Sequence, residues 1–255
     1  MTSTPFPSRR DNPKFTGMAH RQYTAAAFHS GAETYADIRP GYPAEVIELL
    51  EPHPKGPILD VGAGTGKLTE QLPGEVWALD PSADMLGRLR ASLSVPVWQA
   101  TAEATALPDT SVAAVASAQT WHWVDPEAAS KEMARITKPG GPLVLVWNTL
   151  DVRVPWVHRL TRIMHAGDVQ KPGFHPNVAA PWRLTKELRL EWEQVLQAND
   201  LFRLMATRAY WLRNGSKVRE KMTSNLSWYL YEHLGFDPEQ PIALPYRCDA
   251  FRYER

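Results

Sequence analysis

Five short apolar or β-branched runs punctuate the first 150 residues: Pro57 to Val61, Val76 to Leu79, Val95 to Gln99, Val112 to Ala118 and Leu143 to Trp147. Each has the length of a strand, and the last two are almost free of polar residues, as strands buried on both faces are. Helix-length segments lie between them. Thr65 to Leu72 and Ser82 to Leu93 read as helices, the second with Ser82 as its N-cap. Pro126 to Thr137 reads as a third, stopped by Lys138-Pro139-Gly140-Gly141. Strand, helix, strand in this rhythm requires right-handed crossovers and a parallel sheet covered on both faces, so the expected class is a doubly wound α/β fold.

The flanks are read from the same cues. Residues 1–27 form a terminal arm, its start rich in Pro and Arg, and a short helix over Ala44 to Leu50 is expected behind Pro43. After Trp147 the rhythm breaks. Residues 150–184 read as an insertion of one short helix and a loop rich in Gly, Pro and His that caps the sheet. Residues 185–255 then return to the α/β unit: a long amphipathic helix from Thr185 to Asn199, a strand from Phe202 to Leu212, a helix from Ser216 to His233 and a closing strand from Ile242 to Arg252. Pro241 and Pro245 restrict that last strand to an edge or a bulge.

Composition narrows the function. Among 255 residues, 28 Lys and Arg balance 28 Asp and Glu, so no net field gathers a polyanion, and neither nucleic acid nor a membrane is expected as partner. The lone Cys248 makes neither an intrachain disulfide nor a cysteine-cluster zinc site, which fits a reducing, cytoplasmic setting. His158, His165 and His175 have no carboxylate or thiol at ligand spacing, and no metal is expected.

Four segments carry the chemistry. Ile58-Leu-Asp60-Val-Gly62-Ala63-Gly64-Thr65-Gly66 is a buried strand that runs into a glycine-rich turn, where the backbone can turn sharply and point amides at a ligand. The spacing is not that of the dinucleotide fingerprint, because Lys67 stands where Gly or Ala is needed, and it is not a P-loop, because Val61 and Leu68 replace the required Gly and Ser or Thr. Asp60 can orient the turn's amides or meet a cationic group. In Val76-Trp-Ala-Leu-Asp80-Pro81-Ser82 an acid closes the second strand about 20 residues on, the position that receives ribose hydroxyls in nucleotide-binding sheets. Ala102-Glu103 follows the third strand, and Gln119-Thr-Trp121-His122-Trp123 follows the fourth.

These motifs, with Leu-Asp-Pro-Ser-x-x-Met85-Leu, Ala-Glu-x-x-x-Leu-Pro and Ile-Thr-Lys-Pro-Gly-Gly in this order, resemble a class I S-adenosylmethionine-dependent methyltransferase of the small-molecule branch (methyltransferase type 11, similar to trans-aconitate methyltransferases). The resemblance covers Tyr35 to Asn148, with Leu244-Pro245-Tyr246-Arg247 similar to that branch's closing strand. It implies a Rossmann-like sheet of about seven mostly parallel strands with an antiparallel closing strand, and residues 28–149 as a cofactor-binding core with an N-terminal lid. It also implies S-adenosylmethionine as cofactor: Gly62, Ala63, Gly64, Thr65 and Gly66 at its methionine part, Asp80 and Pro81 at the ribose, Met85, Ala102 and Glu103 near the adenine, Gln119 at the methionine amine, and Tyr35 with Arg39 closing over it.

The acceptor is expected to be a small organic molecule. Trp121 and Trp123 read equally as pocket walls or as packing aromatics, and His122 as a general base is needed only for an acceptor that must lose a proton. Trp156 and Arg159 belong to a basic, aromatic segment that could read a carboxylate, since Arg forks bind carboxylates. Three rivals stay open: a nucleic-acid or protein methyltransferase, weakened by Gln-Thr-Trp-His where an Asn-Pro-Pro-Tyr type would grip a flipped base; a non-catalytic binding or regulatory protein on the same fold; and a nicotinamide dehydrogenase, weakened by the glycine spacing.

Overall fold

The computed structural model describes residues 38–166 and 170–255. Its centre is a seven-stranded sheet in the order β3-β2-β1-β4-β5-β7-β6. The strands are β1 (Ile58–Val61), β2 (Val76–Asp80), β3 (Val97–Gln99), β4 (Ala114–Ala118), β5 (Leu143–Leu150), β6 (Arg183–Gln197) and β7 (Pro241–Glu254). β1 to β5 pair in parallel, while β7 runs antiparallel to both β5 and β6. This is the expected α/β architecture with one antiparallel strand. The chain leaves β1 towards β2 and β3, then returns to the other side of β1 as β4, so a topological switch point lies between β1 and β4 at their carboxyl ends.

Both faces are covered. On one, helix α1 (Ala44–Glu48) and the residues that follow it bring Val46, Leu49 and Leu50 onto Ile58, Ala116, Val146 and Ala250. On the same side Leu89 of α2 (Ala83–Ser92) packs on Ala78. On the other face α3 (Pro126–Ile136) buries Ala129, Met133 and Ile136 against Leu59, Val115, Leu145 and Phe251. The caps are those the sequence implies: the Ser82 hydroxyl accepts from the Met85 amide at 3.3 Å, and Asp125 accepts from the Glu127 and Ala128 amides. Residues 170–182 lie against α3, where the Ala179 amide donates to the Ser130 hydroxyl and the Trp182 indole to the Ser130 carbonyl.

A second apolar cluster sits beyond the β5–β7–β6 end of the sheet. Helices α4 (Pro155–Ile163), α5 (Asp200–Ala206), α6 (Ala209–Arg213) and α7 (Ser216–Ser227), the last continued by a π-helical turn over Trp228–His233, gather around Leu150, Leu244 and Tyr246. Among the described residues no helix is long and apolar enough to cross a membrane.

Three sequence expectations are corrected. Thr185 to Asn199 is not a helix: it forms most of β6, whose register runs from Arg183 opposite Glu254 to Gln197 opposite Pro241. Leu188, Leu190 and Trp192 alternate onto one covered face, while Arg189 and Glu191 between them project to the opposite face, so the period is two rather than 3.6. Phe202 to Leu212 is not a strand but lies in α5 and α6, since Leu201, Leu204 and Met205 are buried at helical spacing. Thr65 to Leu72 is a series of turns ending in a 3-10 turn over Thr69–Gln71, because the left-handed φ of +94° at Gly66 cannot belong to a helix.

Candidate functional site

The turn after β1 is built by glycines. Gly62, Gly64 and Gly66 have φ of +71°, +55° and +94°. At Gly62 a second constraint acts: a Cβ there would stand 2.3 Å from the side chain of Thr120, whose hydroxyl contacts the Gly62 carbonyl at 3.1 Å. The turn after β1 and the turn after β4 thus lock together at the switch point. Nothing lies within 4 Å of a Cβ built on Gly64, so at that point the backbone is open to a close-approaching group.

Asp80 fixes this turn from the next strand. Its Oδ2 accepts from the Gly64 amide at 2.9 Å and its Oδ1 from the Ser82 amide at 2.8 Å, which ties the glycine turn to the start of α2. The carboxylate is buried, as is Met85 one turn into that helix, while Pro81 is exposed.

Asp60 is fully buried one residue before the end of β1. Its Oδ2 accepts from the Thr69 hydroxyl at 2.7 Å, but Oδ1 has no partner among the described residues. Burial pushes its carboxyl up to about 7; the Thr69 hydrogen bond opposes this, and the nearby Asp80 charge adds to it. The Thr65 hydroxyl in the turn is likewise buried without a partner, as is Oε1 of Gln119. Gln119, held at φ +55°, gives its amide N–H to the carbonyl of Asn148 at the end of β5. Asn148 in turn donates to the Gly41 carbonyl at 2.8 Å and accepts from the Trp192 indole at 3.3 Å. The sheet's carboxyl edge therefore carries buried acceptor oxygens on Asp60 and Gln119 that no described residue supplies with a donor. Such groups are costly unless a ligand satisfies them.

The remaining expected residues divide. Glu103 accepts from the Asp125 amide at 2.8 Å and so links the β3 loop to the start of α3, with Ala102 buried beside it. His122 receives the Trp147 indole N–H on Nδ1 at 3.1 Å and packs against Trp123, ring centroids 4.6 Å apart. Trp121 is buried in the core beneath, its indole donating to the Asn177 carbonyl at 2.8 Å. Trp156 and Arg159 sit elsewhere, in the helical cluster: the Trp156 carbonyl accepts from Tyr229 and its ring meets Phe236, while the Arg159 guanidinium lies over Trp228 and Tyr229 at 5.2 and 5.1 Å. Arg39 donates to the Thr207 hydroxyl at 2.9 Å, just after α5. Tyr35 lies outside the described residues. The arrangement thus gathers Asp60, the glycine turn, Asp80, Gln119 and His122 at one sheet edge, and leaves Trp156, Arg159 and Arg39 on the helical side.

Sequence reading passed over Thr120 and Asn148. Both had a faint signal: Thr120 is inside the Gln-Thr-Trp-His motif, and Asn148 is the first polar residue after the apolar run that ends at Trp147.

Comparison with known proteins agrees with this geometry. Residues 59–145 match the model of a methyltransferase domain. An uncharacterized methyltransferase of Mycobacterium tuberculosis is 39% identical over 231 residues, 89% of this chain and 94% of its own. A ubiquinone/menaquinone biosynthesis C-methyltransferase of Burkholderia cenocepacia is 32% identical over 151 residues, 49% of this chain and 62% of its own. Among solved structures, a candidate type II methyltransferase from Anaeromyxobacter dehalogenans superposes with a TM-score of 0.58 at 24% identity, over 85% of this chain and 97% of that one, a likeness of fold.

Proposed function

Since the chain belongs to the class I S-adenosylmethionine-dependent methyltransferases, we propose that it binds S-adenosylmethionine at the carboxyl edge of β1, β2 and β4 and methylates a small organic acceptor. The observation that supports this reading most is the pair of buried oxygens without donors, Oδ1 of Asp60 and Oε1 of Gln119, on either side of the switch point. An ammonium group supplies what both lack, since it only donates.

The other residues fit the rest of such a cofactor. The open backbone at Gly64 allows close approach, and the Thr65 hydroxyl offers a further unpartnered polar atom. Asp80 holds the turn in shape through Gly64 and, as the acid that ends β2, stands where ribose hydroxyls would be received. Pro81 would lie beside the ribose, and the buried Met85, with Ala102 and Glu103, would border the adenine. When bound, S-adenosylmethionine supplies a methyl group already activated by its sulfonium. The chain's own part is then alignment and exclusion of water rather than a strong acid or base. Gln119 and Asp60 orient, Asp80 and Thr120 keep the turns rigid, and the aromatic residues Trp123 and Trp147 border the place where an acceptor would lie.

Calorimetric titration with S-adenosylmethionine and S-adenosylhomocysteine, followed by transfer of labelled methyl to small acids, phenols and amines, tests the proposal. Micromolar binding of both with label passing to at least one class is the expected result. Binding without transfer to any class would leave a non-catalytic binder, and no binding would remove the cofactor site altogether.

A further inference from the structure

Strands β5 and β7 are antiparallel, and Thr149 stands directly opposite Arg247. Directly opposed residues of an antiparallel pair project from the same face, with Cβ atoms about 5 Å apart. Both are buried, Thr149 at 3% and Arg247 at 5% exposure, and each carries a polar atom without a partner among the described residues: Oγ1 of Thr149 and Nη1 of Arg247.

The rest of the Arg247 guanidinium is held firmly. Its Nε donates to Oδ2 of Asp249 at 2.8 Å and its Nη2 to the Gln170 carbonyl at 2.7 Å. The plane is therefore fixed through two of its three nitrogens, and the third, Nη1, has no acceptor among the described residues. Buried guanidinium N–H groups are costly to leave unpaired, more so than neutral ones.

The acids around Arg247 are engaged away from its Nη1. The fully buried Asp249 is shared, accepting from Arg247 on one oxygen and from Nη1 of Arg189 at 2.7 Å on the other. Glu187 meets Arg189 from the more exposed side and also meets His175. Asp151, two residues past Thr149, is already engaged by Arg153 through both oxygens.

The position is also apt. Trp147 lies two residues before Thr149 on β5, hence on the same face and about 7 Å back along the strand. Its indole holds His122 at the edge where the glycine turn ends. By contrast, the arginine expected from sequence to read a carboxylate, Arg159, is stacked on Trp228 and Tyr229.

We propose that Arg247 and Thr149 form the subsite that receives a carboxylate of the methyl acceptor, a proposal that rests on the methyltransferase reading above. A guanidinium nitrogen and a hydroxyl on one buried face, neither with a partner among the described residues, suit a carboxylate, whose oxygens can accept from both.

The test uses the whole protein loaded with S-adenosylhomocysteine and titrated with benzoate, succinate and citrate, each beside its amide. At least one acid should bind the wild type and its amide at least tenfold more weakly. Arg247→Gln should weaken that acid at least tenfold and Thr149→Val three- to tenfold, with S-adenosylhomocysteine affinity unchanged in both. Thr149→Val is nearly isosteric and keeps the test alive if Arg247→Gln fails to fold. Acid binding unaltered in the variants, amides equal to acids, or no acid bound by the loaded wild type would each overturn the subsite. A wild type that takes up no S-adenosylhomocysteine shows its failure before any acid is added; the methyltransferase reading then falls, and the subsite with it.

Discussion

The indole N–H of Trp147 donates to Nδ1 of His122 across 3.1 Å. An indole nitrogen can only donate, so this ring nitrogen accepts and the neutral imidazole carries its proton on Nε2. Neither nitrogen then has a lone pair to receive a proton from an acceptor. This arrangement leads us to propose that His122 positions and walls rather than acting as a base.

His122→Asn preserves an acceptor for the Trp147 indole, and kcat should stay within about tenfold of wild type with an unchanged pH profile. A fall of about 10² to 10⁴, the usual contribution of a general base, would return proton removal to His122. The profile discriminates where the rate alone does not, because a repacked pocket slows catalysis without removing a titration.

Gly62 and Gly64 both hold a left-handed φ, but only Gly62 faces Thr120. Gly64→Ala should cost the backbone strain alone, about 1 to 2 kcal/mol. Gly62→Ala adds a collision with Thr120, and its cost should reach about 2 to 5 kcal/mol. Urea denaturation of the two variants side by side measures the difference; equal costs would mean that the turns after β1 and β4 are not locked together.

Asp60 makes stability depend on pH in an unusual direction. Its carboxyl is raised from 3.8 to about 7 in the folded chain, so between these values the folded state keeps a proton that the unfolded state has lost. Stability from this group is full below about pH 4 and declines as pH rises towards 7, by about 4 kcal/mol at about 1.4 kcal/mol per unit. Asp60→Asn, a mimic of the protonated form, should therefore gain on wild type in Tm from pH 5 to pH 8. If the proposed ammonium contact is right, S-adenosylhomocysteine affinity of the wild type should rise over that same range. A Tm difference that stays flat with pH would place the carboxyl at its ordinary value.

Cys248 is buried in the sheet, and burial with the neighbouring Asp249 charge pushes its thiol well above the usual range. It should resist alkylation by iodoacetamide in the native protein and react fully in urea. Rapid native labelling would mean that the β5–β7–β6 region opens readily.

Much of this was legible in the sequence because the motifs sit where local chemistry decides structure. Gly62, Gly64 and Gly66 encode their own turn, Ser82 and Asp125 their own caps, and the apolar runs Val112 to Ala118 and Leu143 to Trp147 their own burial. Where the structure differs, long-range contacts decide. β6 contains Lys186, Glu187, Leu188, Arg189 and Glu193, residues that favour helices when no partner is present, and becomes a strand because β7 offers it a register from Arg183 to Gln197. The same holds at the site. Asp80 was readable as an acid at a strand end, but its grip on the Gly64 amide was not. Sequence offered Arg159 as the carboxylate reader and Arg247 only as part of the closing strand; tertiary packing stacks the first on aromatic rings and leaves Nη1 of the second buried and without a partner among the described residues.

The link between Asp80 and Gly64 is where fold becomes function, so the decisive measurement is calorimetric titration of wild type and Asp80→Ala with S-adenosylmethionine, with far-ultraviolet circular dichroism of both. The account predicts micromolar binding by the wild type, at least tenfold weaker binding by the variant, and superimposable spectra. A folded variant that binds as tightly as wild type would contradict it and would place the cofactor away from the carboxyl edge of β1 and β2.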